Sequence, residues 1–445
     1  MKRYEKYKDS GIVWIGEIPS HWNIIKIKRL SHVKRGASPR PIDDLKFFDE
    51  NGEFSWVRIS DLTASERYLL RTEEKLSELG ASLSVKRYPG DFFLSIAGSV
   101  GKPIITKIKC CIHDGFVWFP DLKINPEYLY YLFQSGLPFG GLGKLGTQLN
   151  LNTETIGNIY IPDLTYQDIN KIVQYLDHQT SIIDQLIQQK EKLIELLKEK
   201  RQAVIDTSVT KGINSNVSLK ETKIKWLKLI PEHWKISAIK NILEIPITDG
   251  PHTTPDLFDE GVPFISAESI KNGKIDFDKK RGYISQKDYE LFSKKYVPKI
   301  KDIYMVKSGA TTGNVAMVET NKKFTIWSPL AVFRADESKV LPEYLHYYLQ
   351  SQSLRSAVEI SWSYGTQQNI GMGVLANISI PYPSIKEQKE ILFFLDLSLK
   401  KIDQLESPIK DVIEKLKEYR QSIISEAVTG KIDVRDWQPN KQQVA

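Results

Sequence analysis

Leu176-Asp177, Ile183-Asp184-Gln185-Leu186 and Arg201-Gln202 return as Leu395-Asp396, Ile402-Asp403-Gln404-Leu405 and Arg420-Gln421, each displaced by 219 residues. The register holds without a gap from Gly146-Thr147-Gln148 with Asn150, matched by Gly365-Thr366-Gln367 with Asn369, through Ile161-Pro162 and Ile380-Pro381, to Val209-Thr210 and Val428-Thr429. Chance similarity does not sustain one register over such a length, so the chain is an internal duplication. Further upstream, Trp14-Ile15-Gly16-Glu17-Ile18-Pro19-Ser20-His21-Trp22 matches Trp226-Leu227-Lys228-Leu229-Ile230-Pro231-Glu232-His233-Trp234, and Pro126-Glu127-Tyr128-Leu129 matches Pro342-Glu343-Tyr344-Leu345. Between these blocks, residues 31–125 and 243–340 share little beyond anchors such as Asp91 with Asp302 and Gly98 with Gly309. One scaffold is present twice, with a different insert in each copy.

The last segment of each copy reads as a long helix. Ile172, Leu176, Ile183, Leu186, Leu193 and Leu197, and in the second copy Ile391, Leu395, Ile402, Leu405, Val412 and Leu416, recur at spacings built from three and four. That pattern is a heptad seam and predicts that the two helices pair with each other. No Gly or Pro interrupts Gln167 to Val209, whereas Ser407-Pro408 leaves a kink or a restart open in the second helix. The inserts read as strands and turns: Phe54–Ile59, Phe92–Ile96, Ile104–Ile105 and Phe116–Phe119 in the first, Val262–Ile265, Ile303–Val306, Val315–Val318 and Leu330–Phe333 in the second. Pro126–Phe133 and Pro342–Leu349 read as short helices opened by proline. The expected fold class is α+β: two tandem, pseudo-twofold-related α/β domains separated by two long helices that form an antiparallel coiled coil. The expected segments are 1–165, a helix over 166–211, 212–383, a helix over 384–433 and a tail over 434–445.

Length and composition set the bounds. A chain of 445 residues exceeds one ordinary core, and 41% hydrophobic with 26% charged residues describes a folded protein. No apolar run is long enough to span a bilayer, and the charged stretch Met1 to Ser10 lacks a signal peptide's apolar core, so a cytoplasmic location is expected. The only cysteines, Cys110 and Cys111, are neighbours, which offers neither a disulfide framework nor a CxxC zinc pair. The net charge of +7 is unevenly placed: residues 1–165 hold 22 Lys+Arg against 19 Asp+Glu and 212–383 hold 22 against 18, while 166–211 balance at 7 against 7 and 384–433 at 9 against 10. The cationic excess lies in the two domains and suits a polyanionic partner there; the helices are neutral.

These blocks, in this order and doubled, resemble the specificity subunit of type I restriction–modification enzymes. The carriers are the Ile-Pro-x-His-Trp opening, the variable insert, Gly-Thr-Gln-x-Asn, the Ile-Pro strand end and the Leu-Asp…Ile-Asp-Gln-Leu…Arg-Gln helix closing on Val428-Thr429-Gly430-Lys431; the first copy departs slightly with Val209-Thr210-Lys211-Gly212. The resemblance implies that each insert is a target recognition domain reading one half of a split double-stranded DNA sequence. It implies that the paired helices set the distance between the readers and dock two methyltransferase subunits, joined for restriction by motor/endonuclease subunits. No cofactor is expected on this chain; S-adenosylmethionine, ATP and Mg are expected on the partner subunits. A stand-alone two-domain DNA-binding protein is the alternative.

The sequence itself argues against chemistry on this chain. It lacks the Asn/Asp-Pro-Pro-aromatic motif with which an adenine methyltransferase grips a flipped base. Gly98-Ser99-Val100-Gly101-Lys102 and Gly141-Leu142-Gly143-Lys144 have neither the spacing nor the final hydroxyl of a phosphate-binding P-loop and read as turns. Asp249-Gly250-Pro251-His252 has no second ligand cluster at metal spacing, so no metal site is expected. Candidate DNA contacts in the first insert are Lys34, Arg35, Ser38, Arg40, Arg58, Lys86, Arg87 and Lys102. In the second they are His252, Thr253, Thr254, Lys307, Thr311, Thr312 and Asn314, with Lys271, Lys274 and Lys322 as weaker candidates; cations and small polar side chains supply phosphate contacts. Gln148, Asn150, Gln367, Gln368 and Asn369 have amides suited to adenine, but they sit in the repeated part, so a structural or positioning role is expected. Trp14, Trp22, Trp226 and Trp234 read as packing anchors.

Overall fold

The structure is a computed structural model that describes residues 2–140, 142, 151–360 and 369–439. Gln148, Asn150, Gln367 and Gln368, with the glycines at 141, 143, 146 and 365 and Lys144, lie outside the described residues. The chain forms two units, Met1–Glu191 with Asp411–Ala445, and Lys192–Lys410. Each unit holds one insert and one half of each long helix.

In the first unit, β1 (Asn23–Lys26) opens the scaffold. The insert supplies β2 (Lys34–Arg35), β3 (Phe54–Val57), α1 (Ile59–Ala64), β4 (Tyr68–Leu69), β5 (Glu74–Leu76), β6 (Val85–Arg87), β7 (Phe92–Ser95), β8 (Pro103–Thr106), β9 (Cys110–Ile112) and β10 (Phe116–Trp118). Two sheets result, in the orders β2-β10-β7-β8-β4 and β5-β3-β9-β6. Phe92 to Leu94 are buried along β7 as the centre of the first sheet, which explains their unbroken apolar run. The chain returns through α2 (Pro126–Gln134), with Asn125 as N-cap and proline at the first turn, and β11 (Tyr160–Asp163), which pairs antiparallel with β1. It then enters α3 (Tyr166–Lys211).

The second unit repeats this plan. β12 (Lys235–Ala238) is followed by β13 (Thr248–Asp249), β14 (Val262–Ile265), β15 (Gly282–Ile284), β16 (Ile303–Val306), β17 (Val315–Met317), β18 (Thr325–Ile326), β19 (Leu330–Phe333), α4 (Pro342–Leu349), β20 (Ser379–Tyr382), paired with β12, and α5 (Ile385–Val428). The insert sheets run β13-β19-β16-β17 and β15-β14-β18. They match β2-β10-β7-β8 and β5-β3-β9 strand for strand, including the parallel pairs β3 with β9 and β14 with β18. Inserts that diverge in sequence therefore share a topology.

The repeated motifs turn out to be one set of contacts made twice. Arg420 bonds Asp184 at 2.7 Å in the first unit, and Arg201 pairs with Asp403 in the second. Gln421 donates to the carbonyl of Ser135 at 2.7 Å, and Gln202 to that of Gln350 at 3.0 Å. The Tyr128 hydroxyl donates to the carbonyl of Val428 at 3.2 Å, the Tyr344 hydroxyl to that of Val209 at 3.0 Å. Each helix ends at a glycine of positive φ, Gly430 (72°) and Gly212 (78°), against the indole of Trp22 and of Trp234. In the first unit the opening half of α3 packs on the closing half of α5; in the second the closing half of α3 packs on the opening half of α5. The helices are thus antiparallel. At about 1.5 Å per residue, the 46 residues of α3 make about 69 Å, and α5 runs through Pro408 as one helix.

Part of the expected helix seam is corrected. Ile172, Leu176, Ile183, Leu197, Ile391, Leu395 and Ile402 are buried and Leu416 is half-buried, but Leu186 and Leu405 are exposed, as are Leu193 and Val412. The covered stripe runs Ile183, Ile187, Lys190, Ile194, Leu197 and, in the second copy, Ile402, Glu406, Ile409, Ile413, Leu416. One partner helix covers only a narrow stripe at alternating spacings of four and three. Leu186 and Leu193 stand one residue off it, on the open flank.

Candidate nucleic-acid interface

Close backbone approach fixes where the candidate loops leave the sheets. A Cβ on Gly36, just after β2, would lie 2.2 Å from the carbonyl oxygen of His113; one on Gly250, just after β13, would lie 2.0 Å from that of Ile326. Only glycine fits either position. Residues 36–40 and 250–255 therefore start at the same structural place, beside the ends of β9 and β18. The loops 96–102 and 307–314 join β7 to β8 and β16 to β17 through glycines of positive φ, Gly98 and Gly101 in one, Gly309 and Gly313 in the other. The N–H of Ile96 donates to Gly115 at 2.8 Å, which ties the first of these loops to the β9–β10 turn.

In the first unit Asp114 on that turn gathers several candidates. Arg35 donates to its main-chain carbonyl, Arg40 pairs with its carboxylate at 3.1 Å and Ser38 reaches it at 3.3 Å. His113 accepts the N–H of Gly115 at 2.9 Å; burial lowers its pKa, against the opposing pull of Asp114. Arg58 precedes α1 and holds Glu74 at 2.8 and 2.9 Å while staying half exposed. The other candidates stand apart. Lys102 turns back to the carbonyls of Thr63 (3.2 Å) and Ser65 (2.7 Å), and partial burial lowers its pKa. Lys34 and Arg87 share the Trp118 ring at 5.8 and 3.8 Å, and Lys86 covers Phe54 at 4.7 Å. Successive strand residues face opposite ways, so Lys34 and Arg35 cannot serve one surface.

In the second unit the charges are inverted. Asp249 stands where the first unit has Arg35, and its carboxylate is fully buried. It meets Lys295 at 2.5 Å, Lys307 at 3.1 Å and His252 at 3.4 Å. Burial pushes the Asp249 pKa up, but Lys295 and Lys307 outweigh it and hold it below the usual carboxylate value. Sequence reasoning missed Lys295, which lies beyond α-helical residues 286–293 and carries no local motif. Thr253, Thr254 and Thr311 are exposed, Thr312 bonds the Gly309 carbonyl at 2.6 Å, and Asn314 reaches the Ile270 carbonyl at 3.4 Å. Asn369 bridges to Ser308, so the end of the repeated Gly-Thr-Gln-x-Asn stretch adjoins this loop. Lys271 is exposed, Lys274 faces Glu319 at 3.8 Å and Lys322 lies over Phe277 at 5.7 Å.

Among the described residues no group of His, Cys, Asp or Glu could hold a metal, and no helix is long and apolar enough to cross a membrane. Burial pushes the Cys110 and Cys111 thiols up to about 12 and about 11, which removes them as nucleophiles near neutral pH.

The family model described as the type I restriction modification DNA specificity domain matches twice, at residues 19–196 and 231–415. The chain belongs to this specificity family. Both matches begin at the proline of an Ile-Pro-x-His-Trp block. Relatives in the specificity family include the type I restriction enzyme EcoBI specificity subunit of Escherichia coli, 24% identical over an alignment of 367 positions that covers 78% of this chain and 74% of that protein. The MjaIX specificity subunit of Methanocaldococcus jannaschii is 25% identical over an alignment of 447 positions that covers 95% of this chain and 96% of that one. A chain solved in a study of complex assembly and conformational transition of the type I R-M system shares the fold, with a TM-score of 0.68 at 16% identity over 93% of this chain and 99% of that chain.

Proposed function

We propose that this chain is the DNA-specificity subunit of a type I restriction–modification enzyme, in which each unit reads one half of a split double-stranded target. One observation carries the reading: a duplicated scaffold holds two inserts of one strand order whose charged groups differ at the same place, Arg35 in one and Asp249 in the other. A reader of two unlike half-sites needs a common frame and separate contact chemistry. The chain supplies the address and performs no reaction. It binds no cofactor, and S-adenosylmethionine, ATP and Mg act on its partners in the cytoplasm.

Those partners are two methyltransferase subunits, joined by motor/endonuclease subunits. Exposed Leu186, Leu193, Leu196, Phe393, Phe394, Leu397 and Leu405 on the helices support docking there, because soluble chains seldom leave such rows bare. This also favours the subunit over a stand-alone DNA binder. The test is methylome sequencing of the host before and after deletion of the gene, with co-purification of a methyltransferase. A split motif that survives deletion would sink the reading. The measuring role of the helices has its own test. Four residues inserted at Gln188-Gln189 add about one turn, roughly 6 Å, and should lengthen the spacer by about one or two base pairs with both half-sites unchanged.

A further inference from the structure

The duplication makes every helix position comparable with its twin, and at one pair the twins differ. Tyr175 and His178 on α3 correspond to Phe394 and Leu397 on α5 in the 219-residue register. Tyr175 is only 6% exposed, whereas Phe394 and Leu397 are 41% and 45% exposed and the adjoining Phe393 67%. The cover in the first unit is the chain's own tail. The Trp437 ring meets Tyr175 edge-on at 5.4 Å and His178 at 5.2 Å. The tail is fastened independently of that indole. Ile432 and Val434 are buried, Asp433 N–H donates to the Lys2 carbonyl at 2.9 Å, Asp436 pairs with Lys2 at 2.6 Å and Arg435 lies over Tyr4 at 4.8 Å. In the second unit the residues after α3, Gly212 to Ser218, contain no aromatic side chain and run into the strand Leu219–Glu221.

We propose that the two docking faces of this chain are unequal: Phe394 and Leu397 form an open seat for an aromatic side chain of a methyltransferase subunit, while Trp437 already fills the twin seat at Tyr175 and His178. The seated indole shows what this helix position accepts. An edge-on aromatic on an aromatic and aliphatic platform gains both buried area and ring contact. The partner is a protein bearing such a ring, not DNA, because the helices are charge-balanced and the seat is apolar. The inference rests on the reading that methyltransferase subunits dock on the helices. Its consequence is stepwise assembly, in which the first methyltransferase binds at the second unit and the next must displace Trp437.

Titration of the full-length chain with the host's methyltransferase, followed by native mass spectrometry and calorimetry, tests this. Two steps about tenfold or more apart are expected, a gap of about 1.4 kcal/mol. Trp437→Ala should tighten the second step towards the first, and Trp437→Phe should restore the gap. Phe394→Ser should weaken the first step alone by about tenfold. Two equal steps unaltered by Trp437→Ala would overturn the proposal, as would a second step weakened by it, since Trp437 would then belong to the docking surface. Absence of any methyltransferase binding would instead defeat the functional reading, and this inference with it.

Discussion

The two inserts agree where backbone meets backbone and disagree where side chains meet solvent. Gly36 and Gly250 are held by the same close approach, and β2-β10-β7-β8 repeats as β13-β19-β16-β17. Yet the first insert arranges arginines around the partly exposed Asp114, and the second arranges lysines around the buried Asp249. The scaffold shows the opposite behaviour: its ion pairs, tyrosine bonds and glycine caps recur residue for residue. Frame and reader are thus under different physical demands. The frame must close a core in the same way twice, whereas the reader need only present loops from fixed positions.

The largest expected effect tests that separation. Replacing residues 31–125 with the insert of another family member should change one half of the methylated sequence completely and leave the other half as it was. A change in both halves, or in neither, would break the comparison. Next come the glycine caps. A Cβ on Gly430 would lie 2.5 Å from Pro19 and 2.6 Å from the Trp22 ring, but on Gly212 it stays 3.2 Å from Trp234. With left-handed strain in both and overpacking in one, Gly430→Ala should cost about 3 kcal/mol and Gly212→Ala about 1 kcal/mol. Chemical denaturation giving equal losses would contradict the difference in packing at the two caps.

A smaller effect separates the units by pH. His346 stands where the first unit has Tyr130, and burial lowers its pKa to about 4, with Glu343 opposing. The unfolded chain then takes up a proton that the folded one refuses. Stability should fall as pH drops from about 6.5 towards 4, by roughly 2 kcal/mol. His346→Tyr should remove that loss, read as a difference in melting temperature from wild type that widens on acidification; a constant difference would rule the histidine out. Asp249 acts in a lower window. Its pKa is depressed, so its contribution is present above the usual carboxylate range and is lost as pH falls below it. The smallest effects belong to exposed cations. Arg40→Ala, Arg58→Ala and Lys271→Ala should each weaken binding to all DNA sequences a few-fold and lower the salt slope by about one unit. Unchanged slopes throughout would place the DNA on another face.

Much of the architecture was readable beforehand, for identifiable reasons. Val262–Ile265, Ile303–Val306, Leu330–Phe333 and Pro342–Leu349 form as read, because apolar runs bounded by turn residues and a proline at a helix start are local signals. Cys110–Ile112, Val85–Arg87 and Thr325–Ile326 are strands that carry no strand signal of their own. Each is only two or three residues long, and each is a strand through its neighbours rather than its own pattern. The candidate cations were legible as residues but not as a site. Arg35, Ser38 and Arg40 converge on Asp114, while Lys34 and Arg87 are drawn to Trp118, and that sorting depends on strand facing.

By itself the sequence determined the duplication, the two long helices, their pairing with each other and the family, since a register held over dozens of residues and a heptad spacing are properties of the chain alone; the antiparallel sense shows in which helix halves share a core. Only the tertiary structure decided which flank of each helix is covered, because a single partner helix hides one stripe and leaves Leu186, Leu193, Leu405 and Val412 outside it. Only the tertiary structure brought Lys295 to Asp249 and Trp437 to Tyr175. Those pairs are separated by 46 and 262 residues, and no local pattern in the sequence marks either of them.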